Sequence, residues 1–408
     1  MPKLWNNRTF EHSDLLIEVQ NVQGLMYEKG FCLKKCKLVE QIFHHTLKTE
    51  TMSKSNQLDF TGMTINCGVD VHLKQWRVNI HDGNFELEDF SQDANPLSLY
   101  KHLSRKYPNA TYKIGYEAGF CGFNAQRILQ DLGVICYVVN AADVPTTDKE
   151  KKQKKDKLDA RKLCDYMQSS KAKSIYIPTV SWEHGRSLVR TREQIVNNQT
   201  RCKNRIRHLL HFSGLHLPEQ YKAERYWSKK MINCLEQMDC GSEHLRTALQ
   251  LLIKDYKQTR SLLLESTRAI RKLCKELAYQ PGIFWLRSIP GIGLINAAII
   301  LFEIQDIKRF KSLDHLYSYA GLVPDTADSG EKKKTKGITV RCNENLRTAL
   351  VESSWTVVRK DPALLMKYNE LRKRMHYNKA IIRIAKHLLA RIRFVLLHQK
   401  EYVTGVVA

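Results

Sequence analysis

The sequence is short of acid. Among its 408 residues, 42 Asp and Glu stand against 66 Lys and Arg, for a net charge of +24. That balance points to a polyanionic partner, because each cation laid on a phosphate releases a counterion. An anionic membrane surface or an abundance of solvated lysine would be the alternatives. Long apolar runs are also missing. The best stretches, such as Leu294 to Phe302, reach only about half of the ~18 residues a membrane helix needs, so no membrane is expected. The N-terminus lacks a basic-then-apolar signal pattern. Cys-x-x-Cys does not occur. The 11 scattered cysteines read as small buried hydrophobes of a reducing, cytoplasmic compartment. Cys32, Cys36, His44 and His45 suggest zinc only loosely, because their spacing is irregular. Proline is scarce, with 10 in all and none between Pro178 and Pro218 or between Pro218 and Pro281. Those two spans read as long helices.

What is present divides along the chain. Residues 1–51 hold 7 basic and 6 acidic side chains, so nearly all of the excess charge lies beyond them. Met52 could be the natural start, which makes residues 1–61 an N-terminal extension, with a small helical appendage as the alternative. From Thr64 the pattern turns to strand. Ile65 to Val71, Trp76 to His81 and Phe85 to Phe90 alternate as three short strands, with Asp82-Gly83 as a hairpin signal. A helix from Pro96, a strand from Tyr112 to Glu117, a helix from Phe123, a strand from Val134 to Asn140 and a helix from about Lys155 to Ser169 follow. The expected fold is α/β plus all-α. A mixed sheet with helices on its faces occupies residues 62–180, a long helical arm residues 181–281, and a mainly helical domain residues 282–408. In the arm, Leu245, Leu249, Leu252, Tyr256, Thr259, Leu263, Ser266, Ile270, Leu273 and Leu277 keep a coiled-coil spacing. The same seam could instead pack on Glu183 to Phe212 as an internal hairpin. The C-terminal helices are broken by Ser288 to Gly293 and by a polar loop from Pro324 to Gly337.

Three groups of residues could carry chemistry. Asp70 sits inside an apolar strand, where an unpaired acid is costly. Glu117 ends another buried strand. Asp156 and Asp159 lie three apart on a helix and so face the same way. Carboxylates are hard ligands suited to Mg2+, and four of them can hold two ions that clamp the attacking and leaving oxygens of a phosphodiester. The second group is Ile289-Pro290-Gly291-Ile292-Gly293. It looks like a helix–hairpin–helix turn, whose N–H groups would hold a DNA phosphate, or else a plain tight turn with glycine at positive φ. The third is Ser329, beside Gly330 and just before Lys332, Lys333 and Lys334. It is either a hydroxyl presented to phosphate or an ordinary turn residue.

In this order the three groups resemble the insertion-sequence-110 family of transposases, the bridge-RNA-guided recombinases to which pilin-gene invertases are related. The resemblance covers about residues 62–400. It rests on Gly68-Val69-Asp70-Val71-His72, the strand ending at Glu117, Lys155-Asp156-Lys157-Leu158-Asp159-Ala160, the Pro290-Gly291-Ile292-Gly293 turn, Tyr319-Ala320-Gly321-Leu322-Val323-Pro324, Ser329-Gly330 and Asn345-Leu346-Arg347. It implies a RuvC-type, RNase H-like N-terminal domain. It also implies that Asp70, Glu117, Asp156 and Asp159 are the DEDD ligands of Mg2+ and that Ser329 is a nucleophile completing the site from another subunit. DNA contacts at Pro290, Gly291, Gly293, Lys332, Lys333, Lys334 and Arg347 belong to the same expectation. So do a structured guide RNA, DNA partners at the element ends and target, a dimer assembling to a tetramer, and a bacterial, nucleoid-associated location. Cys342 stands where the family usually has glycine. Without the resemblance, the residues indicate a Mg2+-dependent nucleic-acid enzyme. A resolvase-like endonuclease using activated water, or an inactive nucleic-acid-binding module, would then remain open.

Overall fold

The computed structural model describes residues 58–404 apart from 84, 146–155, 170–171, 223–226 and 330–331. The extension, the loose Cys/His set near residue 40 and the lysine-rich stretch after Asp148 therefore lie outside the described residues. The chain divides after Lys173 into two compact units.

In the first unit, alternating sequence makes a five-stranded sheet. Its strands are β1 (Thr64–Val71), β2 (Gln75–Asp82), β3 (Phe85–Asp93), β4 (Thr111–Glu117) and β5 (Ile135–Val139), in the order β3-β2-β1-β4-β5. β2 is antiparallel to β1 and β3, whereas β4 is parallel to β1 and β5 parallel to β4. Helices α1 (Pro96–Lys106), α2 (Asn124–Asp131) and α3 (Asp156–Gln168) accompany it. This mixed sheet is the expected α/β arrangement, and its order is compatible with an RNase H-like domain. β1 lies at the centre and is buried along most of its length, which is why it reads as a nearly continuous apolar run.

One close approach sets the position of α3. Gly68 in β1 pairs with Gly115 in β4. A Cβ on Gly68 would stand 2.0 Å from the Ala160 carbonyl oxygen and 2.4 Å from the Cys164 amide nitrogen. One on Gly115 would stand 2.5 Å from the Met167 sulfur. Neither glycine has a positive φ, so space and not backbone freedom requires them. Two adjacent glycines form a shallow seat across which the α3 backbone crosses the sheet.

The second unit begins with α4 (Val180–Phe212) and continues through α5 (Glu219–Lys222), α6 (Lys229–Glu236) and α7 (Glu243–Leu273). The proline-free span before Pro281 is thus several helices and not one. Gly241 breaks it at φ 65°, with the Asp239 carboxylate accepting its N–H at 3.0 Å. α7 runs back along α4, and its buried residues are Leu249, Ile253, Tyr256, Thr259, Ser266 and Ile270. Cys202 meets Asp255 at 3.2 Å and Arg192 donates to Thr267 at 3.2 Å. The regular seam is therefore used inside the chain as a helical hairpin, with Leu277 beyond its end and 87% exposed. Trp227, Met231, Ile232 and Leu235 fill its far end.

The rest of this unit is α8 (Gln280–Ser288), α9 (Leu294–Ile304), α10 (Leu313–Ala320), strands β6 (Pro324–Ser329) and β7 (Lys332–Ile338), then α11 (Glu344–Val357), α12 (Pro362–Arg372) and α13 (Tyr377–His398). The segment expected as a polar loop is a β-hairpin, with Thr326 opposite Thr335 and Ser329 opposite Lys332. Its β-branched threonines suit paired strands.

α9 is buried throughout from Ala297 to Ile304 and carries a single charge, Glu303, which is fully buried. Arg190 holds both its oxygens, Nε to Oε1 and Nη2 to Oε2, each at 2.7 Å. Asn343 donates at 2.7 Å and Asn345 at 3.3 Å. Burial alone would raise the Glu303 pKa, but the Arg190 hydrogen bonds and charge outweigh it and hold the carboxyl below its usual 4.5. The network joins α4, α9 and α11.

Two outcomes are expected. Gly68→Ala should lower the stability of the first unit by about 3 kcal/mol or leave it unfolded, because backbone must move to admit the methyl. Denaturant unfolding measures this, and a stable, native-like variant would show that α3 can shift. The Glu303→Gln exchange leaves a guanidinium poorly paired. Because Arg190 is itself 44% exposed, the cost should be about 2–3 kcal/mol, below that of a wholly buried pair. The depressed pKa means that this stabilisation is complete above about pH 4.5 and is lost as pH falls through the folded-state value. Acid unfolding of Glu303→Gln should accordingly be less steep than that of the wild type.

Candidate active site

Two of the acids, Asp70 and Glu117, stand at the carboxyl ends of β1 and β4. Val69 pairs with Tyr116 across the parallel ladder. Asp70 and Glu117 each follow by one residue, so they are neighbours on strands about 4.8 Å apart. They share the face of Gly68 and Gly115, two residues back, over which α3 crosses. The Asp70 carboxylate is 19% exposed and lies 3.2 Å from His72 Nε2. Glu117 is half-buried.

The α3 end of the site is set by the glycine seat. Ala160, whose carbonyl meets Gly68, is one turn after Asp156, the first residue of α3. The Asp156 side chain lies outside what is described. Asp159 is 21% exposed and stands 3.6 Å from Lys162. Among the described residues no three His, Cys, Asp or Glu gather tightly enough to hold a metal ion. The described part of the site is the Asp70–Glu117 pair, a hard oxygen donor set that fits a divalent cation in chemistry and in register.

Arg77 was not anticipated. It stands directly opposite Asp70 in the antiparallel β1–β2 ladder, so the two residues share a face. Its Nη2 is 2.6 Å from Asp89 and its Nη1 donates to Ser91 at 3.1 Å. Its guanidinium is thus held by β3, on the face that carries Asp70. The signal lay in β2: Trp76, Val78 and Ile80 alternate with Arg77, Asn79 and His81. In a buried strand that second set is a polar face. Asn79 is fully buried and His81 is 3% exposed, and Gln168 of α3 reaches His81 Nδ1 at 3.0 Å. Cys67 and Cys164, in β1 and α3, are poor nucleophiles, since burial drives the Cys67 thiol well above its ordinary pKa and Cys164 up to about 12.

In the second unit, Ile289 to Gly293 forms a tight turn. Gly291 has φ 96°, and a Cβ there would lie 2.8 Å from the Val357 amide nitrogen. Ile289 and Ile292 are buried, so the turn is pinned against the end of α11. Pro290 is half-buried, while Gly293, which caps α9, is exposed with open space around it. Ser329 ends β6, and Lys332, Lys333 and Lys334 lie on β7 opposite Ser329, Asp328 and Ala327.

Arg347 is engaged within the protein. Its guanidinium donates to the carbonyls of Ala320, at 3.4 Å, and Thr339. It packs on Gly321, where φ is 64° and a Cβ would meet Arg347 Nη2 at 2.0 Å and Cys342 Cβ at 2.3 Å. The Tyr319-to-Pro324 motif is thus the bend into β6, and Arg347 and Cys342 close over it. Among the described residues no helix is long and apolar enough to cross a membrane.

Comparison with known proteins gives two family matches. Residues 67–213 match the DEDD transposase model of the IS110 type, and residues 285–369 match the model described as transposase IS116/IS110/IS902 family. Similar proteins include y4qE and y4rJ of Sinorhizobium fredii, both named as transposases. The first is 26% identical over 65% of this chain and 63% of its own length, the second 27% identical over 72% and 81%. The transposase for insertion sequence element IS1111A of Coxiella burnetii is 23% identical over 62% of this chain and 70% of its own length.

Arg347→Ala should lower stability by about 1–3 kcal/mol, because two carbonyls at the bend lose their donor. Thermal unfolding is the measurement. A variant as stable as the wild type would return Arg347 to solvent and to DNA.

Proposed function

This chain belongs to the IS116/IS110/IS902 family of transposases, and from that premise we propose that it cuts and rejoins DNA at the ends of an insertion sequence and at its target. The observation that carries the reading is the placement of Asp70 and Glu117 one residue beyond the Val69–Tyr116 pair of two parallel strands, whose glycines seat α3. Asp70, Glu117, Asp156 and Asp159 are the residues that would hold divalent cations, Mg2+ by the hardness of the donors. Such ions, when bound, stabilise charge on the oxygens of a phosphodiester.

Ser329 is the proposed nucleophile. Its oxygen forms one P–O bond as the phosphodiester loses another, so the bond energy is kept in a serine-linked strand. A DNA hydroxyl then reverses the step and rejoins the chain. A serine hydroxyl must lose its proton as it attacks, and no histidine neighbours Ser329 in sequence, so one of the carboxylates would take that proton, while a bound cation would supply charge stabilisation at the phosphate. Ser329 lies in the second compact unit and the acids in the first. The resemblance to the family is what makes the proposed site composite, with Ser329 supplied by a second subunit of a dimer that assembles to a tetramer on nucleic acid. The net charge of +24 supports DNA and a structured guide RNA held together, in a cytoplasmic, nucleoid-associated protein.

Two measurements test this. Asp70→Asn and Glu117→Gln should each weaken Mn2+ binding by about tenfold in calorimetric titration, at unchanged melting temperature, and abolish strand cleavage. Ser329→Ala should bind DNA as the wild type does yet leave no covalent protein–DNA product on a denaturing gel. Recombination by Ser329→Ala at the wild-type rate would leave Ser329 a turn residue and favour hydrolysis by activated water.

A further inference from the structure

The distal half of α4 carries cations that the proposed chemistry does not use. From Thr200 to Phe212 the sequence holds Arg201, Lys203, Arg205 and Arg207, two histidines and no acid. Packing sorts them into two sets. Lys203 lies over the Tyr256 ring at 5.9 Å and Arg207 over Trp227 at 5.8 Å, so both are occupied by the hairpin's own aromatic side chains. Arg201, Asn204, Arg205, His208 and Phe212 fall on a single stripe at helical spacing. Together with Leu252 of α7 they line an open groove of about 700 Å³.

The contents of that groove point to one kind of partner. Phe212 is 82% exposed, and its ring lies parallel to that of His208, 9° apart with centroids 6.4 Å from each other. The arrangement is a flat aromatic platform at the end of a cationic stripe. The cations are only lightly committed. Arg201 donates to Asn198 at 3.2 Å. Arg205 meets Asp255 at 3.3 Å, with the two side chains 59% and 45% exposed, a pair worth little in water. A second copy of this chain is a poor occupant, because it would bring another +24 against a cationic face.

We propose that this groove binds an unpaired, single-stranded stretch of nucleic acid, with phosphates on Arg201 and Arg205 and a base stacked on the Phe212–His208 platform. Base–aromatic stacking needs a base released from its own stack, so the groove selects single strands and loops over duplex. The inference goes beyond the transposase reading and requires neither the acids nor Ser329.

The test uses the full chain in magnesium-free buffer, with a fluorescent oligouridylate of about 20 nucleotides and a duplex of the same length. Phe212→Ala should weaken oligouridylate binding roughly fivefold or more and leave duplex binding unchanged, while Phe212→Trp restores it. The Arg201→Gln/Arg205→Gln variant should flatten the salt dependence of oligouridylate binding by about 1.4 log units per log unit of salt, for two single-strand phosphates released. Iodouridine in the oligonucleotide should cross-link to the peptide spanning residues 201–212. Asp70→Asn and Ser329→Ala should bind the oligonucleotide as the wild type does, so failure of the transposase chemistry leaves this result intact. Unchanged affinity in Phe212→Ala with cross-links mapping elsewhere would overturn the proposal. So would a Phe212→Ala variant that changes oligomeric mass in light scattering while keeping its affinity, which would make the groove a protein contact.

Discussion

Everything proposed for the acidic site depends on how near one helix backbone comes to the centre of a sheet. The side chains between a helix and a sheet set how closely the two backbones approach. Gly68 removes that spacer from the central strand, and the Ala160 carbonyl and Cys164 amide take the space a methyl would fill. Gly115 does the same for Met167. The acids two residues further on, Asp70 and Glu117, inherit their face and depth from those glycines through the two-residue period of a strand. The site is thus specified as much by two missing side chains as by the carboxylates.

A buried charge organises the second unit in a comparable way. α9 is apolar enough to pack in almost any rotation, since its exposed and buried sides scarcely differ in sequence. Glu303 removes that freedom. A carboxylate so deeply buried is tolerable only with its oxygens fully bonded, and the bonding groups come from α4 and α11 as Arg190, Asn343 and Asn345. The requirement fixes the register of three helices at once. It also secures Asn343, the residue that caps α11 and leads to Arg347 and the bend into the hairpin bearing Ser329. A charge that contributes modestly to stability can in this way contribute strongly to specificity.

The basic residues serve several separate purposes. Some are spent internally: Arg77 on Asp89, Arg190 on Glu303, Arg347 over Gly321, and Lys203 and Arg207 on aromatic rings. Net charge alone overstates the surface available to phosphate, and cations such as Arg201 and Arg205, only lightly bound by their neighbours, are the informative ones.

The sequence by itself determined the elements whose signal is local. The strands from Thr64 to Val139, the long α4 helix and the break at Asp361-Pro362 follow from alternation, proline spacing and capping, all read within a few residues. The position of Asp70 and Glu117 at strand ends was local too, because each belongs to a strand legible from its own alternation. Partner choice was not local. The seam from Leu245 to Leu273 satisfies another subunit or α4 equally well, and only the fold shows it packed on α4. The stretch after Pro324 looked like a loop because its lysines and aspartates are poor strand formers, yet cross-strand pairing makes it a hairpin. Arg77, Glu303 and Arg347 are ordinary charges in sequence. Their roles arise from which backbone or carboxylate lies opposite them, and that is a property of tertiary contact alone.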